Sequence, residues 1–240
     1  MSPMPATPSN SSAVPASTSL VAKLIDMFAS PSEVFDEVVA TPPRFGNWLV
    51  PTALVALASL FLLRASSNEA VSVTTTPQAV EAQPTASDSA AVQAAPSSVD
   101  AQRLSALVTC GGAFAGTFWS AFLLWFIGRA FLRTRFSYLK TVEVVALAGS
   151  VVALGTLVTA LLVGISGDPV TRPALSFFVR RLPSTDHARL ILDMFNLFHL
   201  WTIAVLAIGL SRLSGVTFKE SAFWVFGYWF VARLALILLS

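Results

Sequence analysis

The stretch that decides the fold is residues 144–165, VVALAGSVVALGTLVTALLVGI, which contains no charged side chain. Its apolar residues lie on all sides of a helix instead of forming one stripe, so the helix would offer water no polar face. At about 1.5 Å per residue, this stretch is long enough to cross about 30 Å of hydrocarbon. We therefore predict that it spans a membrane.

Four further stretches share this length and composition and complete a set of five predicted spans. They are residues 45–63, 107–127, 190–210 and 222–239. The 240 residues are 55% hydrophobic and 12% charged, whereas about a quarter of the residues in an ordinary soluble domain are charged. The sequence thus predicts an all-α integral membrane protein with a bundle of about five transmembrane helices.

Short amphipathic helices are predicted ahead of the first span. Residues 1–18 are rich in Pro, Ser, Thr and Ala and predict a disordered tail, which leaves 19–240 as the membrane domain. An apolar stripe then recurs at helical spacing, made of Leu20, Val21, Leu24, Ile25 and Phe28, with Lys23 and Asp26 on the other side. Ser30-Pro31 is typical of a fresh helix start. Both helices are too short to cross a membrane. Their stripes face lipid or pack on the loops of the bundle, and the sequence leaves both alternatives open.

Two loops have a distinctive composition. Residues 65–102 contain Ala, Ser, Thr, Pro, Val and acidic residues but no Lys or Arg, which predicts a flexible loop between the first two spans. In the loop after the third span, Pro173 begins a predicted short helix whose Leu175, Phe178 and Leu182 share one face.

Basic residues at the span ends indicate the orientation. With a cytoplasmic N-terminus, eight Lys or Arg residues lie inside and six outside, which favours that orientation under the positive-inside tendency. Arg outnumbers Lys and Ala is abundant, which is typical of a high-GC bacterium and predicts the bacterial inner membrane. Because these residues are scattered at span ends instead of clustered on one face, no nucleic-acid partner is predicted.

Charged residues within the predicted spans are few, and two of them form the main site prediction. Asp193 lies near the outer end of the fourth span and Arg233 deeper from the outer end of the fifth, so we predict an intramembrane ion pair. The alternative is that Arg233 extends alone to the headgroups, which its long stem permits. Arg129 and Glu143 flank the basic turn at the inner face and predict a second pair, of little energetic value because it is near water.

Metal and catalytic sites are not predicted. Asp193, Asn196 and His199 fall on one predicted helix, but the outer two point apart and no further ligand cluster completes a metal shell. The string 164–167 has the Gly-x-Ser-Gly form of rhomboid proteases, with Ser166 as nucleophile and His199 as a conceivable base. Rhomboids place this serine at a helix start and need at least six spans, so we expect no enzyme and no cofactor.

Gly112 and Gly116 form a small-xxx-small pattern in the second span. Such pairs let helix backbones approach closely. We predict helix packing within the bundle at these glycines, and a dimer interface is the alternative.

Several strings resemble the Yip family, the Ypt/Rab-interacting proteins, in its bacterial branch. They are SPSEVF at 30–35, FSYLK at 136–140, and NLFHLW at 196–201 before IGL at 208–210. The resemblance runs from about residue 20 to the C-terminus and implies five spans, a cytoplasmic N-terminus and no enzymatic activity. Eukaryotic members are tied to vesicle traffic and Rab GTPases, but the Asp-Leu-(Tyr/Trp)-Gly-Pro string of that branch is absent here.

Together these features predict a multi-pass protein that organises the membrane or binds a partner, which is a membrane protein or a second copy of the chain. The alternative is a small transporter or channel, which requires a polar path through the bundle. For such a path the spans offer Asp193, Asn196, His199 and Arg233, all toward one side.

Overall fold

The computed structural model describes residues 18–74, 98–168, 171–179 and 187–239, and these residues form a bundle of α-helices. The helices are α1 Leu20–Ala29, α2 Pro31–Ala40, α3 Phe45–Thr74, α4 Ser98–Ala130, α5 Tyr138–Ser166, α6 His187–Met194, α7 Leu197–Ser214 and α8 Phe218–Leu239. A short 3-10 helix at Leu175–Val179 follows Pro173, as predicted, while Leu182 lies outside the described residues.

Five of the described helices are long and apolar enough to cross a membrane, which confirms the predicted fold class. Their candidate spans are Phe45–Ser66, Asp100–Ala130, Tyr138–Ser166, Leu197–Ser214 and Phe218–Leu238. Several hydroxyl groups inside the spans donate to carbonyl oxygens of their own helix, as Thr52 does to Trp48 at 2.7 Å and Thr159 to Gly155 at 2.8 Å, whereas the buried Ser221 hydroxyl has no such partner among the described residues. These bonds allow polar side chains to lie in hydrocarbon without an unsatisfied donor.

Helix α5 is the centre of the bundle, in contact with α3, α4 and α7 and buried along most of its length. Two glycines, one on α5 and one on α7, permit close contact between these two helices. A Cβ added to Gly155 would lie 2.6 Å from Phe198 Cβ of α7, and one added to Gly209 of α7 would collide with Val144 of α5. The two helices run antiparallel and meet where a side chain is missing, which brings their backbones close.

Helices α1 and α2 pack on the helices of the bundle, but part of the predicted apolar stripe of α1 stays exposed, so contact of that part with lipid stays a prediction. Met27, Phe35 and Val38 are buried against the start of α5 and the end of α7. Val21 and Ile25 on the other side of α1 are 67% and 64% exposed. We call the end of the bundle that carries α1 and α2 the proximal end, and the opposite end the distal end.

The predicted fourth span, residues 190–210, is wrong as one continuous helix. The chain breaks between α6 and α7, and the side chain of Asn196 accepts hydrogen bonds from the backbone N–H groups of Phe198 at 3.0 Å and His199 at 3.3 Å. An asparagine in this role satisfies the first donors of a helix and favours a helix start at this point. The span therefore begins at Leu197, and Asp193 lies outside it on α6.

The loop predicted at 65–102 is helical at both ends in the structure. Helix α3 continues to Thr74 and α4 begins at Ser98. Because the span is already helical, a further residue can join it without a new nucleation step. Each such residue gains one hydrogen bond and loses the conformational entropy of only one residue. Residues 75–97 and the predicted tail up to residue 17 lie outside the described residues.

Candidate functional site

A buried carboxylate organises the proximal end. Glu143, in the second turn of α5, is 0% exposed. Its Oε1 accepts from the backbone N–H of Arg44 at 2.5 Å and from Asn47 Nδ2 at 3.1 Å, and its Oε2 accepts from Lys140 Nζ at 2.8 Å. A buried charge is tolerated when it is paired and hydrogen-bonded in this way.

The same network reaches α2 through Lys140. Its ammonium group donates to the carbonyl oxygen of Val38 at 2.6 Å, one of the last carbonyls of α2. These carbonyls have no partner within their own helix, and a lysine is a suitable donor for them. One carboxylate and one ammonium group thus join α2, the segment before α3, α3 itself and α5.

A second ion pair fixes α1 against α2. Lys23 is only 1% exposed and its Nζ lies 3.0 Å from Glu37 Oε1, which also accepts from the backbone N–H of Thr18 at 3.2 Å. Burial raises the pKa of Glu37, but the hydrogen bonds from Lys23 and Thr18 lower this pKa by more than burial raises it. The pKa of the carboxyl group therefore lies below its ordinary value of 4.5. The Glu37 carboxylate is therefore charged at neutral pH.

Exposed charges of both signs surround these buried contacts. We call them the proximal charged surface: Glu33, Asp36, Arg129, Arg133, Arg135, Arg212, Lys219 and Glu220. Asp36 and Arg212 form an ion pair at 3.4 Å in which both side chains are about half exposed. The remaining members of the surface lie on α2, on the last turn of α4, on the turn after α4 and on the first turn of α8.

The predicted pair of Arg129 with Glu143 is not formed. Arg129 lies over the ring of Trp125, 5.4 Å from its centroid, and Glu143 is taken by Lys140. Lys140 and Glu143 are three residues apart on one helix, a spacing that places side chains side by side. That spacing was the signal in the sequence for an ion pair between Lys140 and Glu143. The backbone N–H of Arg44 carried no such signal because it depends on how the chain turns before α3.

The distal end contains a polar cavity of about 370 Å³. Its polar lining residues are Arg172, Asp193, Asn196, His199 and Arg233, and Leu236 and Ile237 of α8 complete it. A second cavity of about 200 Å³ shares Arg172, Asn196 and His199 and continues between α3, α5 and α7 as far as Val152 and Thr202. The two cavities adjoin and extend from the end of the bundle to near the middle of α5.

Asp193 and Arg233 are brought to the same cavity from two different elements. The Asp193 carboxylate accepts a hydrogen bond from the hydroxyl of Ser176, which lies in the 3-10 helix. Among the described residues, the ion pairs within 4.0 Å do not include one between Asp193 and Arg233. Their pairing stays a prediction, and it now concerns a residue of α6 and a residue of α8.

The structure also places the other residues that the sequence analysis considered for a catalytic or metal site. Ser166 shares a hydrogen bond of 3.0 Å with the Thr171 hydroxyl at the end of α5. Asn196 caps α7, and His199 lines the distal cavity. In the part of the chain that the structure describes, no group of three His, Cys, Asp or Glu side chains has the arrangement of a metal site.

Gly112 and Gly116 do not lie at a close helix approach within the described chain. A Cβ added at either position would meet no heavy atom within 4 Å beyond its own helix. Helix α4 packs through its C-terminal part, where Ala121, Leu124 and Ile127 are buried, whereas these glycines precede that part and are exposed. Within the bundle, close packing occurs at Gly155 and Gly209 instead. A dimer interface at Gly112 and Gly116 stays a prediction.

Comparison with known proteins gives one match, and it agrees with the architecture. No curated protein and no solved structure matches the chain. The family model of the Yip1 domain matches residues 25–240, a range that takes in the second half of α1 and all five candidate spans. The chain therefore belongs to the Yip1 domain family of multi-pass membrane proteins.

Proposed function

We propose that this protein is a non-enzymatic bacterial inner-membrane protein that organises the membrane or binds a partner through its proximal end. The supporting observation is the rigid attachment of α1 and α2 to the bundle. Buried Lys23 and buried Glu143 hold these helices in place, and the proximal charged surface lies around them. A surface fixed in this way binds a partner without the entropy cost of ordering a flexible segment.

The partner expected at this surface is another membrane protein or a second copy of the chain. Acidic Glu33 and Asp36 on α2 and basic Arg133 and Arg135 after α4 are exposed at one end of the bundle. Charges of both signs favour a complementary protein surface, since such patterns select a partner and set its orientation. A uniformly basic surface would instead favour anionic lipid.

Site-specific crosslinking in native membranes tests this proposal. A photoreactive amino acid at Glu33 is expected to capture one partner in a fixed ratio, whereas the same group at Gln102, an exposed residue at the distal end, captures none. Equal capture at both positions, or capture of lipid alone at Glu33, would contradict the proposal. Reversal of the charges at Arg133 and Arg135 should reduce the yield at Glu33 without a change in protein abundance.

The proposed orientation has a cytoplasmic N-terminus. In a Cys110→Ser background, Glu33→Cys should resist a membrane-impermeant thiol reagent in intact cells, while Gln102→Cys should react. The opposite pattern would place the proximal end outside the cell and would require a different class of partner.

A small transporter is the second candidate, and the distal cavity is the observation that favours it. The cavity descends to Val152, but below it the bundle is closed by buried Leu147, Val151 and Leu210. Transport would require these side chains to separate. Solute flux into liposomes that contain the purified protein, absent from empty liposomes, would support this candidate over the first.

A further inference from the structure

We propose that the distal cavity is a binding site for a phosphate group, held between the guanidinium groups of Arg172 and Arg233. This inference is independent of the partner proposed for the proximal end. It starts from the charged side chains that line the cavity among the described residues, which are Arg172, Arg233 and Asp193. These described side chains carry more positive than negative charge.

Among the described residues, the carboxylate that lines the cavity is that of Asp193. Asp193 accepts from the Ser176 hydroxyl, and no described carboxylate lies within 4.0 Å of the Arg233 guanidinium. Arg233 lies about one and a half turns before the end of the candidate span at Leu238. An arginine at that depth is expensive unless it faces a polar space or an anion.

The geometry suits a phosphate group. A guanidinium group presents a planar set of donors that matches two oxygens of one phosphate. Arg172, which also donates to the Thr171 carbonyl at 3.0 Å, and Arg233 approach the cavity from a loop and from α8, so a bound anion would be contacted from two sides. The positive end of the α7 dipole adds to this field. The side chain of Asn196 already occupies the N–H groups of Phe198 and His199, so side chains must supply the ligand bonds.

The surroundings fit two sources of phosphate. Leu236 and Ile237 line the cavity beside Arg233, and Leu62 and Phe198 line the adjoining one, which gives an acyl chain an apolar path next to the charged site. A lipid headgroup and a free phosphate ion both offer the chemistry that the arginines recognise. The volume of about 370 Å³ accommodates either.

Binding to the purified full chain in a non-ionic, phosphate-free detergent tests the site. Inorganic phosphate is titrated against thermal unfolding, and phosphatidylglycerol is compared with diacylglycerol of the same acyl chains by native mass spectrometry. We expect saturable binding of at least one phosphate-bearing probe and none of diacylglycerol. Binding of the lipid alone identifies a headgroup site, and binding of inorganic phosphate identifies a soluble ligand.

Variants separate this site from general charge effects. Arg233→Gln and Arg172→Gln should each weaken binding by about tenfold or more, the effect of a lost charge-assisted hydrogen bond. Arg103→Gln is the matched control, because Arg103 is an exposed arginine near the same end of the bundle but outside the cavity. Absence of binding by both phosphate probes, or an equal loss in Arg103→Gln, would overturn the proposal.

A second variant keeps the test independent of folding, because the loss of an arginine can disturb the bundle. Asp193→Asn removes the negative charge and leaves both arginines in place. We expect it to strengthen phosphate binding severalfold. Unchanged or weaker binding in a folded Asp193→Asn protein would also overturn the proposal.

Discussion

The ionisable side chains at the two ends of the bundle differ in their partners. At the proximal end Glu143 accepts three hydrogen bonds and Lys23 faces Glu37, so each charge meets a protein partner at close range. At the distal end Arg233 and His199 face a cavity, and no described carboxylate pairs with Arg233 within 4.0 Å. The proximal contacts therefore hold helices together, whereas the phosphate site proposed above would give Arg233 its partner.

The largest expected effect comes from Glu143→Ala. The variant leaves the Lys140 ammonium group, the Arg44 N–H and the Asn47 amide without their shared acceptor. Removal of one partner from a buried charged network costs about 3–5 kcal/mol. Thermal unfolding in detergent should detect it, with Glu220→Ala, an exposed acid at the same end, as the unaffected control. An unchanged unfolding temperature would mean that the network does not fix the proximal end.

A smaller loss is expected from Gly209→Ala. The new methyl group would collide with Val144 and lie 3.2 Å from Phe35, where α2, α5 and α7 meet. Overpacking of this kind costs about 1–3 kcal/mol. Gly116→Ala is the matched control, since its methyl group meets nothing and alanine favours the helix. Equal unfolding temperatures for the two variants would contradict the close approach at Gly209.

Acidification should weaken the attachment of α1 by at most about 1 kcal/mol, the upper range for an ion pair that is partly open to water. The pKa of Glu37 lies below its ordinary value of 4.5, so the stabilisation is present above that value and is lost as the pH falls through the lower, folded-state pKa. Glu37→Gln should remove this pH-dependent part. Limited proteolysis near Thr18 between pH 7 and pH 3 measures it, and an identical pH profile for both proteins would exclude Glu37 as the cause.

The smallest effect is expected at the distal end, from a double-mutant cycle of Asp193→Ala and Arg233→Ala. Both side chains line one cavity without an ion pair within 4.0 Å, so we expect a coupling energy of about 0.5 kcal/mol or less in the absence of ligand. The measurement is the free energy of unfolding of the four proteins. A coupling as large as that of a buried pair would establish the predicted ion pair and would make the two ends alike.

The five spans were predictable because their residues are apolar on all sides, a property that composition alone reveals. The attachment of α1 and α2 was not, because an amphipathic stripe specifies that something covers it without specifying what. The break before α7 was missed for a different reason. Phe195 and Leu197 keep the window apolar around Asn196, so hydropathy continues across a residue whose capping preference was the better signal.

The candidate sites were predicted in part. Asp193, Asn196, His199 and Arg233 were singled out because polar residues in apolar stretches are rare, and all four line the distal cavity. Arg172 was missed, since a loop arginine does not stand out in a sequence. The partners of Glu143 were missed in part because one is a backbone N–H that only the folded chain brings into place.

The start of α7 at Asn196 also determines how the protein meets the bilayer. With 18 residues, α7 is about 27 Å long, against 29 residues and about 44 Å for its neighbour α5. A helix shorter than the hydrocarbon layer of about 30 Å draws the lipid surface inward beside it, while a longer neighbour tilts or extends into water. We therefore expect a local dimple in the membrane next to α7 that brings headgroups and water down toward Arg233, and a preference of the protein for thinner bilayers.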